Sequence, residues 1–170
     1  MNNDFQQKLE KIYAESKKLL ISTFERNYTS SGNIAIFSQS EKEYKDYKHI
    51  VNQLIIPSEN SNQKYFELQS PITLAYDEYN DVITHIYIRK YDPSDYGKYS
   101  GDMDFVCSND EYMKLKTDVL SRKIPNCTMY ERTGWDTIQI THKESPVVAY
   151  LSTMEMAIKA RMKFDNLTNL

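Results

Sequence analysis

SGNIAIFSQSEKEY (Ser31–Tyr44) and SGDMDFVCSNDEY (Ser100–Tyr112) follow one plan. Each opens on Ser-Gly, runs through about five β-prone residues, steps through small polar residues, and enters an acidic helix start that ends on Tyr. The order of elements after them also repeats. Behind the first, Ser40 and Glu43 form a capping box for a helix with Tyr44, Tyr47, Val51 and Leu54 at helical spacing. A polar loop then leads to three predicted strands, KYFELQ, ITLAYD and VITHIYIRK, separated by turn signals at Ser70-Pro71 and Asp77–Asp81. Behind the second come a helix carrying Tyr112, Leu115 and Val119, a short loop, and the strands CTMYERT, DTIQIT and PVVAYLS.

Matching residues keep a slowly drifting separation. It is 69 from Gly32 to Gly101, 68 from Val51 to Val119, 64 from Glu67 to Glu131 and from Thr73 to Thr137, and 63 from Tyr87 to Tyr150. Small loop deletions produce such drift, and the shared element order supports an internal duplication more strongly than the shared letters do. The flanks add helices. Phe5, Leu9, Ile12, Leu19, Leu20 and Phe24 form an apolar stripe at one end, and Met154, Ile158 and Met162 follow the capping box Ser152…Glu155 at the other. The expectation is a single α+β domain over 1–170. It comprises an N-terminal helix within 1–28, βαβββ modules at 32–90 and 100–152, and a C-terminal helix over 153–166. The two modules are expected to form a curled mixed sheet or open barrel.

Two tandem βαβββ modules resemble the vicinal oxygen chelate superfamily of glyoxalase I, extradiol dioxygenases and bleomycin-binding proteins. The resemblance spans residues 32–152 and rests on element order. It implies that each module supplies half of a barrel around one cavity. It also implies, in metal-dependent members, a His, Gln or Glu on the first strand of each module and a Glu near the last. Here those places hold Asn33, then His85 on the last strand of the first module, and Asp102 and Asp104 on the first strand of the second. VVAYLS offers no carboxylate or imidazole. No cofactor is expected. A divalent ion on His85, Asp102 and Asp104 is the alternative that the resemblance leaves open.

Alternation places His85, Tyr87 and Arg89 on one face of their strand and Ile86 and Ile88 on the other. Facing a cavity, the trio supplies donors for an anion; facing outward, it is a polar strand surface. Asp102 and Asp104 share a face and repel each other unless a cation such as Arg89 or Lys90 answers them. They read either as an acid–base or metal pair, or as half of a structural ion pair. Trp135, the sole Trp, sits in a strand turn and can roof a cavity or pack on a barrel edge. The linker YDPSDYGKY (Tyr91–Tyr99) can form a lid, contact a partner, or simply cross the seam between modules.

Composition sets outer limits. A net charge of −3 with mixed signs argues against a dedicated nucleic-acid binder. No apolar run is long enough for a membrane span, the first residues lack a signal core, and Cys107 and Cys127 form no CxxC pair. The expectation is therefore a cytoplasmic protein that contacts neither nucleic acid nor membrane. Four Gly in the whole chain leave no room for a glycine-rich phosphate loop. The sequence thus points to a binding module for a small molecule or a protein partner, with His85, Tyr87, Arg89, Asp102, Asp104 and Trp135 as the lining. Its alternatives are an atypical metal-dependent enzyme and a homodimeric interaction protein.

Overall fold

In the computed structural model, which describes residues 3–163, the two Ser-Gly segments become the two central strands of one sheet. These are β1 (Thr29–Phe37) and β4 (Gly101–Val106), and they pair antiparallel, with Ile34 opposite Met103. β3 (Tyr79–Arg89) runs parallel to β1 on one side, and β7 (Val147–Ser152) runs parallel to β4 on the other. Outside them lie β2 (Phe66–Tyr76) and β6 (Trp135–Ile140), each antiparallel to its neighbour, and β5 (Cys127–Arg132) closes the far edge. The order β2-β3-β1-β4-β7-β6-β5 is two-fold about the β1–β4 seam, apart from the extra β5. The sheet is open, with β2 and β5 as its edges.

Register checks the repeat residue by residue. Tyr87 lies beside Ala35 and Tyr150 beside Asp104, so the pairs Gly32/Gly101 and Tyr87/Tyr150 occupy equivalent places. Glu67/Glu131 and Thr73/Thr137 do not. β2 is the topological equivalent of β6, whereas Glu131 lies on β5, and Tyr65 rather than Thr73 precedes β2 at the level where Gln139 faces Tyr150. The two glycines are needed for different reasons. Gly32 has φ +89° in the irregular stretch of β1, which only glycine adopts readily. Gly101 lies so close to the Ala35 carbonyl that a Cβ would press into it.

The first module has two strands after its helix where three are predicted. KYFELQ and ITLAYD are one strand, β2, with a register shift between Glu67 and Ile72. Ser70-Pro71 reads as a turn in sequence, but Pro71 falls on an edge strand, where a missing N–H forfeits no ladder bond. The last helix also ends earlier than predicted: α4 spans Met154–Lys159, and residues 164–166 of the expected helix lie outside the described residues.

Three helices cover one face: α1 (Asn3–Phe24), α2 (Glu41–Asn52) and α3 (Asn109–Leu120). Phe5, Leu9, Ile12 and Leu20 of α1 pack with Val51 of α2, Tyr112 and Val119 of α3, and the strand residues Ile34, Ile36, Met103, Phe105, Ala149 and Leu151. Burying these side chains is the main stabilising term, at about 1.5–3 kcal/mol for each large one. Inside this apolar layer sits an ion pair, Lys17–Asp81 at 2.7 Å, with both side chains fully buried. Lys17 also donates to Asn27 Oδ1 and the Tyr28 carbonyl (both 2.6 Å), and Asp81 accepts from the Tyr13 hydroxyl and the Ser30 N–H (both 3.0 Å). None of the helices among the described residues is long and apolar enough to cross a membrane.

A buried pair is costly to break on one side only. Lys17→Met should therefore lower stability to urea by about 3–5 kcal/mol, while the double change Lys17→Met with Asp81→Leu should recover most of that loss. Equal losses in the single and double variants would show that the pair is not what holds α1 on the sheet.

Candidate functional site

The face of the sheet away from α1–α3 carries the even-spaced partners of the core residues. Asn33, Ala35 and Phe37 on β1, Asp102 and Asp104 on β4, and Tyr87 and Arg89 on β3 all turn to this side, because Ile34, Ile36, Met103, Phe105, Ile86 and Ile88 are taken by the core. Over them lies a cavity of about 520 Å³. Phe37, Tyr65, Tyr87, Tyr96, Tyr130 and Tyr150 supply its rings, Lys64, Arg89 and Arg132 its cations, and Asp102, Asp104, Gln139 and Ala160 complete the lining. The volume suits a small organic molecule, and the mixture of ring faces with a few convergent polar groups is the usual make-up of such sites.

Asp102 is held at both oxygens by hydroxyls: Tyr65 donates to Oδ1 at 3.0 Å and Tyr96 to Oδ2 at 3.4 Å. Asp104 Oδ2 accepts from the Asn33 amide (2.8 Å), which also donates to the Ala157 carbonyl of α4 (2.9 Å), while Arg161 Nε donates to Asn33 Oδ1 (2.9 Å). Tyr96 and Tyr150 share a 2.6 Å hydrogen bond, and Gln139 donates to the Tyr150 hydroxyl at 3.1 Å. Tyr96 comes from the linker, whose single 3₁₀ turn brings its ring to 5.2 Å from Phe37 and so lays the linker over the seam. Arg89 sits over the rings of Phe37 (4.9 Å) and Tyr96 (4.6 Å) and pairs with Asp92 at 2.6 Å. Arg132 lies over Tyr130 (4.3 Å) and Tyr150 (5.5 Å).

Electrostatically, the two carboxylates are expensive. Burial, then the charge of Asp104, pushes Asp102 up to about 6, against the pull of Lys64, the Tyr65 hydroxyl and Arg89. Asp104 is raised by burial as well, with Asn33 and the cations Lys64, Arg132 and Arg161 opposing. Burial lowers the Lys64 ammonium, and the two aspartates oppose that shift. Burial also lifts the Tyr65, Tyr96 and Tyr150 hydroxyls above their ordinary value, so they remain donors at neutral pH.

Of the six residues singled out in the sequence, Tyr87, Arg89, Asp102 and Asp104 line this cavity. His85 shares their face but lies outside the lining, beside Asn33 with its ring nitrogen 2.9 Å from the Thr84 hydroxyl. Burial and then Arg161 lower it to about 4. Trp135 belongs to a separate recess with Lys116, Asp136 and Glu155, joined to the cavity only through Arg132, which lies 4.5 Å from the Trp135 ring. Neither Arg89 nor Lys90 is the direct partner expected for the aspartates: Arg89 bonds Asp92, and Lys90 faces a different recess. Among the described residues, no three His, Cys, Asp or Glu side chains come together, so His85, Asp102 and Asp104 are not gathered as a ligand set.

Tyr65, Lys64 and Arg132 were not legible as site residues. Tyr65 precedes β2 in a stretch read as a plain strand start, and Arg132 ends an edge hairpin. The repeat did carry a signal for Tyr150, since its counterpart Tyr87 was already a candidate. No family model, no curated protein and no solved structure matches this chain.

The raised Asp102 carries a pH prediction. Its folded value lies above the unfolded one, so its charge costs stability at pH values above about 6, and that cost fades as pH falls toward about 4. Asp102→Asn should therefore raise stability by about 1–3 kcal/mol at about pH 8 and by little at about pH 4, read by denaturant unfolding at both. His85 acts in the opposite sense. Held neutral down to about 4, it makes the fold lose stability as pH drops from about 6.5 to about 4, and His85→Gln should flatten that part of the curve.

Proposed function

We propose that this protein binds a small polar molecule with a planar portion in the tyrosine-lined cavity, and holds it without transforming it. The observation that carries the reading is the burial of Asp102 and Asp104 side by side at the floor of a 520 Å³ hollow. Two adjacent carboxylates out of water reduce stability, and an apolar pair would pack the seam at lower cost. Charges kept at such a cost inside a cavity are candidates for ligand recognition. The surrounding groups support holding rather than chemistry. Both oxygens of Asp102 are engaged by tyrosine hydroxyls, and Arg89 and Arg132 each sit over aromatic rings of the lining, so the polar groups are held in place. The two-fold strand order supports relating the chain to the vicinal oxygen chelate superfamily, with this cavity in the place of that family's shared hollow.

Native mass spectrometry of the protein as purified from cells tests the reading, together with a thermal-shift screen of small metabolites. A ligand found by either route should bind the Arg89→Ala/Asp102→Asn variant at least tenfold more weakly, with circular dichroism unchanged. Undiminished binding by that folded variant would remove the cavity from consideration.

A further inference from the structure

Lys64 and Tyr87 have a second side. Beyond them, between α2 and the end of β3, lies another recess of about 490 Å³. It exists because β2 begins at Phe66 opposite Ile86, so past that point β3 keeps β1 on one side but has no strand on its outer side. Lys48 of α2, Lys64, Lys90 and Lys163 all line this recess, and no carboxylate does. In a chain with a net charge of −3, four ammonium-bearing side chains around one hollow form a local reversal of sign.

The floor between the lysines is aromatic. Lys48 Nζ lies 5.5 Å from the centre of the Phe66 ring, and Lys64 Nζ lies 5.3 Å from that of Tyr87. The rings offset part of the mutual repulsion of the lysines, as cation–π contacts do, and both line the recess. Lys163 is steadied by donating to the Ser61 carbonyl at 2.7 Å, and its remaining N–H groups stay available. Compact ammonium charges on flexible stems are suited to phosphate oxygens, and flat ring faces are suited to a planar heterocycle. The hollow falls in the size range of sites for drug-sized ligands.

We propose that this recess is a second binding site, taking a nucleoside polyphosphate, with the phosphates among Lys48, Lys64, Lys90 and Lys163 and the base on Phe66 and Tyr87. The site is distinct from the tyrosine-lined cavity and does not depend on what that cavity holds, though both share Lys64 and Tyr87 as a common wall.

Isothermal titration calorimetry on the full chain, with ATP and with inorganic triphosphate as probes, tests it. Lys48→Ala/Lys90→Ala removes two lysines from the rim and none from the cavity lining, and Gln139→Ala, an uncharged change confined to the cavity, serves as the control for the cavity. ATP should bind more tightly than triphosphate, weaken at least tenfold in the double lysine variant, and change less than twofold in Gln139→Ala. ATP affinity should also fall steeply with added salt. Heat from neither probe, equal affinity for the two, or ATP binding that the folded double lysine variant leaves unchanged would each overturn the proposal.

Discussion

The Lys17–Asp81 pair is the constraint on which the architecture turns. It joins α1 to β3, and through the Ser30 N–H and the Tyr28 carbonyl it also fixes where β1 begins. A lysine and an aspartate sealed inside an apolar layer tolerate one arrangement, because any slip of α1 along the sheet leaves a charge without its partner. The helix stripe of Phe5, Leu9, Ile12 and Leu20 supplies the energy of docking, and the ion pair supplies the register. Past the irregular stretch around Gly32, where β3 switches from burying Asp81 and Ile83 to burying Ile86 and Ile88, the strands β1, β3 and β4 keep one alternation. Isoleucines and Met103 go under the helices, and tyrosines, Arg89 and the two aspartates go to the far face.

That parity explains why part of the site was readable beforehand. Tyr87, Arg89, Asp102 and Asp104 could be grouped because strand alternation is a local property, and the residues between them are strongly apolar. The likeness of the two Ser-Gly strands was also legible, because the same strand-then-helix pattern appears twice. Positions set by tertiary contact were not. His85 obeys the alternation but falls at a level of the face that α4 and Arg161 crowd. Trp135 is on a hairpin whose turn points to another recess. Pro71 misled because its meaning depends on whether a strand has one neighbour or two, and a linear pattern does not carry that information.

The cavity and the basic recess divide the labour of charge in different ways. In the cavity both signs are present, and the geometry of the hydroxyl hydrogen bonds decides what fits. In the recess only one sign is present, and the field itself does the selecting. Lys64 stands in the wall between them, lowered by burial and sustained by the aspartates behind it. A change in the charge of those aspartates therefore reaches the recess through that one ammonium.

The floor of the cavity joins residues far apart along the chain: Asn33 bonds Asp104, and Tyr65 bonds Asp102 across the linker. Neither half-sheet contains this hollow alone. The hollow exists only with the β1–β4 seam closed, a pairing between strands far apart in the chain. A nascent or clipped chain carrying one half therefore presents no trace of the pocket, and occupancy reports that both halves have met.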